Sequence, residues 1–367
     1  MVNNPEPVFR NLADKFRPCY ADDLAAVVDA LQNGLSGTSA TVSDYERDLG
    51  VYFDSPSAIA VSSGAAAISV ALAAAGVGRG DEVVLTPTAP LCTVYPVIAA
   101  GAVPVFVDTR LDNFGADLVC LDGVLSRKTK AIVDIPMWGY PTPVDELHQF
   151  ARARSVPLIL DLAHAHGTKI HGRHLSTHCD LACFSTHERK ILATGEGGFV
   201  LSNTQNLTER CRSYSRFGNL NGRDFGLNFK LGALPAALGR SRLAHLDAQL
   251  AQRRRNAQRL LAQLAHNNVS EAAVVSSGVP NYYALNLRLT FSNNRRFIEY
   301  LEARGIPSDI IRYGCRCLYE FPAVAPFARH CPNAEALLGD MTTIPVHPGL
   351  TDSDLDYIAE VINSYRE

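Results

Sequence analysis

Lys190 closes the run Phe184-Ser185-Thr186-His187-Glu188-Arg189-Lys190, and Gly195-Glu196-Gly197-Gly198 follows shortly after. A lysine that leaves a short apolar strand and enters a glycine turn sits on a loop at a strand end. Partial desolvation there makes its amine a nucleophile toward a carbonyl group. Ser185, five residues upstream, offers a hydroxyl to an anion. The plain alternative is a solvated surface lysine, the common fate of this residue type. The other candidates along the chain decide between the two.

Ser62-Ser63-Gly64-Ala65-Ala66 lies between a predicted strand and a predicted helix. The N–H groups that open a helix have no partner within it, and residues as small as Gly64 and Ala65 let an anion approach them. A serine-glycine helix cap of structural use alone reads the same way. Asp161 ends the apolar run Val156-Pro157-Leu158-Ile159-Leu160. A carboxylate buried there is costly unless a cation or donor meets it, and it serves equally well as the N-cap of the next segment. His164 stands three residues on, followed by His166, His171, His174 and His178. Histidines this dense raise the question of zinc, but a turn over 167–172 scatters them, so no metal site is expected.

These residues need a scaffold that gathers strand ends. Apolar runs over 58–61, 82–86, 102–107, 131–135 and 158–162 read as strands, with helical segments such as 65–75 between them. The alternation predicts an α/β fold: a three-layer α/β/α large domain with a mostly parallel sheet. Ligands of such sheets bind at the carboxyl ends of the strands. A long helical pattern over 234–264 leads outward. A strand over 281–290 and helices over 295–304 and 352–365 then predict a smaller α+β C-terminal domain. The expected division is 1–245, including a proline-dotted N-terminal arm over 1–15, and 246–367.

The chain of 367 residues is 47% hydrophobic, enough for a large core, and carries a net charge of −3. Without a basic excess, nucleic acid and acidic membranes are not expected as partners. Nine cysteines include no CxxC pair and no signal peptide is read before them, which points to a reduced cytoplasm. The most apolar stretch, 65–77, is too short to span a bilayer.

Taken in order, Gly64-Ala65 after one strand, Asp161 and His164 closing another, and Ser185 with Lys190 closing a third form a constellation that resembles the DegT/DnrJ/StrS-type aminotransferases. Further similar stretches are Asp81-Glu82-Val83-Val84, the run from Ala99 to Asp108, Leu160 to Gly167, Asn228-Phe229-Lys230, and Ile344-Pro345-Val346-His347-Pro348. The resemblance implies pyridoxal 5'-phosphate as cofactor and the PLP-dependent transferase fold of type I. It implies that Lys190 carries the cofactor as an imine and shuttles a proton. Asp161 would hold the pyridinium nitrogen, His164 would lie near the ring's 3′-oxygen, and Ser185 with the Gly64-Ala65 backbone would bind the phosphate. Asn228 would reach the phosphate of the neighbouring subunit, making a homodimer with shared active sites.

Some positions depart from the family's pattern. Pro90 falls where an aromatic residue stacks on the ring, Ala65 replaces a threonine, Lys230 an arginine, and Phe217-Gly218 a His-Gly pair. Retention of Lys190 favours transamination over the dehydration carried out by members with histidine there. The expected function is transfer of an amino group from an amino acid, glutamate or glutamine, to a keto-sugar or keto-cyclitol of a biosynthetic pathway, antibiotic or amino-sugar. The alternatives are another outcome on the same cofactor (elimination, decarboxylation or aldol cleavage) and a non-catalytic sensor that keeps the fold. Arg216, Arg223, Arg312 and Arg316 are candidates for anion contacts or for structural ion pairs.

Overall fold

The computed structural model describes residues 9–367; of the arm expected over 1–15, residues 1–8 lie outside the described residues. The strands in chain order are β1 (Ser57–Val61), β2 (Glu82–Leu85), β3 (Val103–Phe106), β4 (Thr129–Asp134), β5 (Leu158–Asp161), β6 (Lys169–Ile170), β7 (Arg173–His174), β8 (Leu181–Ser185), β9 (Gly198–Ser202), β10 (Val269–Glu271), β11 (Gly278–Val279), β12 (Leu285–Leu289) and β13 (Met341–Ile344).

Seven of them form the central sheet in the order β1-β9-β8-β5-β4-β2-β3. Pairing is parallel from β8 through β5, β4 and β2 to β3, whereas β9 runs antiparallel to both β1 and β8. The strands β5, β8 and β9 are buried at every residue, the pattern of a sheet covered on both faces. The expected three-layer α/β fold is therefore present, with β9 the one central strand that reverses. It reverses because the chain turns back through 186–197, the loop that carries Lys190, rather than crossing over through a helix.

The helix Gly64–Ala74 buries Ala66, Ala67, Ile68, Val70, Ala71, Leu72 and Ala74. A helix apolar on nearly all sides belongs inside the core, and each fully buried leucine-sized side chain stabilises the fold by about 1.5–3 kcal/mol. Its first turn is thereby held rigidly against the strand ends. Below it, Phe184 and Phe199 stack at 4.4 Å, and Phe53 packs 4.9 Å from Phe184.

The helical pattern read over 234–264 is two helices, Ala233–Ala244 and Leu246–Gln263, meeting at His245. Tyr20 stacks on His245 at 3.9 Å and Asp22 lies 3.1 Å from its Nε2, so the joint is held by the start of the chain, which periodicity does not reveal. Beyond it, β10, β12 and β13 form an antiparallel sheet. The helices Asn294–Glu302 and Asp352–Ser364 accompany it. Strand β11 pairs with β6 of the β6–β7 hairpin, joining this region to the first part of the chain.

The segment from Arg10 to Lys15 crosses back onto the C-terminal part. Arg10 pairs with Asp354 at 2.7 Å, Leu12 N–H donates to Gly305 O at 2.9 Å, and His347 Nε2 donates to Ala13 O at 2.9 Å. Lys15 and Asp309, both almost buried, pair at 3.0 Å.

Candidate active site

The site forms at the carboxyl ends of β1, β5 and β8. After β1 the chain turns through Ser62 and Ser63 into the helix Gly64–Ala74, and the Ser63 hydroxyl caps it by accepting from Ala66 N–H at 3.0 Å. The remaining first-turn donors at Gly64 and Ala65 are left for a ligand. A Cβ on Gly64 would lie 2.7 Å from the Cβ of Ser185, so only glycine lets the end of β8 come this close. The two residues read separately as anion binders thus meet in one cradle.

Lys190 is half-buried on the loop after β8. The loop is clasped by Glu188 N–H to Gly195 O at 2.7 Å, Thr194 N–H to Thr186 O at 2.7 Å and Lys190 N–H to His187 O at 2.8 Å. Gly197 has a φ of 153°, and a Cβ on it would meet Thr186 Oγ1 at 2.5 Å, which explains that glycine in the motif. The charge of Lys190 is felt at Asp161, His164, His166, Cys92 and Tyr283.

Asp161 is buried, 3% exposed, at the end of β5. It accepts from Thr93 Oγ1 at 2.6 Å and from Ala163 N–H at 3.1 Å, and among the described residues no ion pair holds it. Burial pushes its carboxyl above the ordinary carboxylate range, while the Thr93 hydroxyl, the Ala163 N–H and Lys190 pull it back. A buried carboxylate with this deficit is matched by a cationic ring N–H, so the donor set fits a pyridinium. The cradle at Gly64 and Ser185 fits a phosphate on the same ligand.

His164 Nδ1 accepts from Trp138 N–H at 3.3 Å, and its ring stacks on Tyr283 at 4.3 Å and 10°. Burial, then the charges of Lys190 and Lys15, hold it well below the usual imidazole range. The ring is therefore neutral with its proton on Nε2, a donor at that atom. Asn281, fully buried, donates to His164 O at 2.8 Å and to His166 O at 2.9 Å.

Asn228 stands apart from this group. It is exposed and accepts from Lys230 Nζ at 2.6 Å, while Phe229 O accepts from Ser62 N–H at 2.8 Å. Pro90 caps the helix Leu91–Ala99. It is the first turn of that helix, through Thr93, that touches Asp161. Thr93, Asn281, Tyr283 and Lys15 carry no local motif, so sequence reading passed over them. Of the arginine candidates, Arg216 pairs with Glu46 at 3.3 Å, Arg312 pairs with Asp14 at 2.9 Å, and Arg316 lies over the Phe321 ring.

The histidines after His164 spread out. His166 is buried against Phe184 and Phe199, His174 packs on Phe53, and His171 lies 3.2 Å from Asp145. Among the described residues no group of three or more His, Cys, Asp and Glu side chains could hold a metal ion.

Residues 19–363 match the DegT/DnrJ/EryC1/StrS aminotransferase family, and the chain belongs to that family. It is a pyridoxal phosphate-dependent aminotransferase. It is 28% identical to a GDP-perosamine synthase of Caulobacter vibrioides over 90% of this chain and 91% of the relative. It is 29% identical to a dTDP-3-amino-3,4,6-trideoxy-alpha-D-glucose transaminase of Micromonospora megalomicea over 94% and 95%. The crystal structure of the sugar aminotransferase CalS13 from Micromonospora echinospora superposes with a TM-score of 0.88 at 27% identity, covering 96% of this chain and 99% of that one.

Proposed function

We propose that this aminotransferase takes the amino group of glutamate or glutamine and delivers it to a ketone on a sugar or cyclitol. The observation that carries the reading is the meeting of Lys190, Asp161 and the Gly64–Ser185 cradle on one sheet edge. Relatives named for making amino sugars support a keto-sugar as acceptor.

When bound, the cofactor would supply an electron sink for chemistry at the amine-bearing carbon. Lys190 would hold the cofactor, and its Nζ would be the group that takes and returns a proton. Asp161 would accept the N–H of the ring and keep that nitrogen protonated. The N–H groups of Gly64 and Ala65 and the Ser185 hydroxyl would bind the phosphate. His164 would donate from Nε2 to the 3′-oxygen.

Asn228 serves the site of a second copy. Its exposure, with Phe217, Leu220, Phe225 and Leu227 exposed in the same stretch, supports a homodimer through this face; a monomer in sedimentation would sink that part. No helix among the described residues is long and apolar enough to cross a membrane. We take the enzyme to work in the cytoplasm, which fractionation of cells tests. We divide the chain into two domains near residue 245, at the His245 joint; limited proteolysis that cut elsewhere between stable fragments would move the boundary.

The experiment is incubation of the cofactor-loaded protein with single amino acids. Conversion of the cofactor to its amine form by glutamate or glutamine is the expected result. Silence with every donor would defeat transamination.

A further inference from the structure

The ring of Tyr283 is the meeting point of groups from three other parts of the chain. His164 stacks on it at 4.3 Å, and the ammonium groups of Lys15 and Lys190 lie 4.1 and 5.4 Å from its centre. Tyr283 is 5% exposed.

Its placement is over-determined. Asn281, which holds the carbonyls of His164 and His166, also accepts from Tyr283 N–H at 2.7 Å. The buried Arg253 donates to Tyr282 O and Tyr283 O, both at 3.2 Å. Between them Tyr282 adopts a φ of 53°, a left-handed conformation that survives only where surroundings enforce it. A residue fixed this firmly beside a reacting lysine has a use beyond filling space.

We propose that Tyr283 is a positioning residue for Lys190 and His164: its ring face supports positive charge on the Lys190 nitrogen and fixes the plane of the imidazole. An aromatic face attracts a cation through its quadrupole, and more strongly when the pair is shielded from water. Removing the face takes away this support for the charged form, so the pH midpoint of the bound cofactor's absorption is expected to move lower. The other charged and titratable groups nearby stay in place: Asp161, His164, His166 and Cys92, which feel the charge of Lys190, and Lys15, Asp309, Tyr313 and Arg253 around Tyr283. The inference rests on Lys190 being the lysine that holds the cofactor.

The test compares Tyr283→Phe, Tyr283→Leu and Tyr283→Met, each loaded with pyridoxal phosphate, by the pH midpoint of the cofactor's visible absorption. Methionine fills the volume should leucine fail to fold. The midpoint is expected to fall by about one unit in the leucine and methionine variants. It is expected to stay at the wild-type value in the phenylalanine variant, which keeps the face. A merely structural role lowers the melting temperature of the cofactor-free variants and leaves the midpoint alone. An unchanged midpoint in both ringless variants overturns the inference, as does an equal fall in Tyr283→Phe, which would assign the effect to the hydroxyl. Borohydride trapping and peptide mapping of the wild type separate the two failures. An adduct away from Lys190 defeats the underlying assignment, whereas an adduct on Lys190 with unmoved midpoints defeats the inference alone.

Discussion

At the Gly64 end of the site, neighbouring strands do the assembling. Strand β1 and strand β8 flank β9, so Ser63-Gly64 and Ser185 come together as soon as the sheet forms. At the Asp161 end, the groups come from far apart: Thr93 from the helix after β2, Trp138 from the loop after β4, Asn281 and Tyr283 from the approach to β12, and Lys15 from the start of the chain. The first end depends on backbone N–H groups and small residues. The second depends on side-chain contacts across long sequence separations. An anion can be held by backbone geometry that a glycine encodes locally, whereas a ring must be fixed on several sides at once.

Three substitutions probe that difference, from the largest effect downward. Asp161→Asn strikes the second end directly: turnover is expected to fall by about a hundredfold or more, since the proposed partner of the ring nitrogen loses its charge. The folded pKa of Asp161 is raised above its unfolded value, so the cost of ionising it is absent at acid pH and present above the raised value. The cofactor-free Asn variant is therefore expected to melt higher than wild type at neutral pH and to lose that advantage in acid. A lower melting point at neutral pH would contradict the burial argument.

Gly64→Ala tests the first end. The added Cβ, 2.7 Å from that of Ser185, must push the cradle open and is expected to weaken cofactor binding by about tenfold or more, measured by titration of the cofactor-free protein. Alanine favours the helix itself by about 1 kcal/mol, so fold stability should change little. Equal losses in affinity and stability would mean the close approach serves packing.

Thr93→Val is the mildest. It removes one hydroxyl donor from a buried carboxylate, worth about fivefold in cofactor affinity. It also pushes the Asp161 carboxyl further up, moving the acid limb of the pH–rate profile to higher pH. A shift toward lower pH would show that Thr93 does not support the ionised form.

The same contrast explains how much could be read beforehand. Lys190, Ser185, Gly64, Asp161 and His164 lie in short runs where strand, turn and helix signals adjoin, and the structure gathers them at one edge. The parallel strands were legible from continuous apolar runs. Strand β9 was not, because Gly198–Ser202 follows a glycine loop that gives no sign of reversal. Asn281 and Tyr283 sit in a stretch that reads as the beginning of a strand, but Tyr282 bends there and β12 starts only at Leu285. What makes them part of the site is a stack and a set of hydrogen bonds to carbonyls more than a hundred residues earlier, which no local pattern records. The break at His245 likewise depends on Tyr20 and Asp22.

The return of the chain's beginning onto its end sets a schedule for synthesis. Arg10 meets Asp354 across 344 residues, and Lys15 reaches Asp309 beside the Tyr283 ring. The sheet and the Gly64 cradle are complete once Ser202 has been made, but the segment that carries Lys15 has no seat until the last strands and the final helix emerge. Contacts of such separation form late, after the entropy of closing the longest loop has been met. Until then the growing chain would hold Asp161 and Thr93 beside the Gly64 cradle but lack Asn281, Tyr283 and the seat of Lys15.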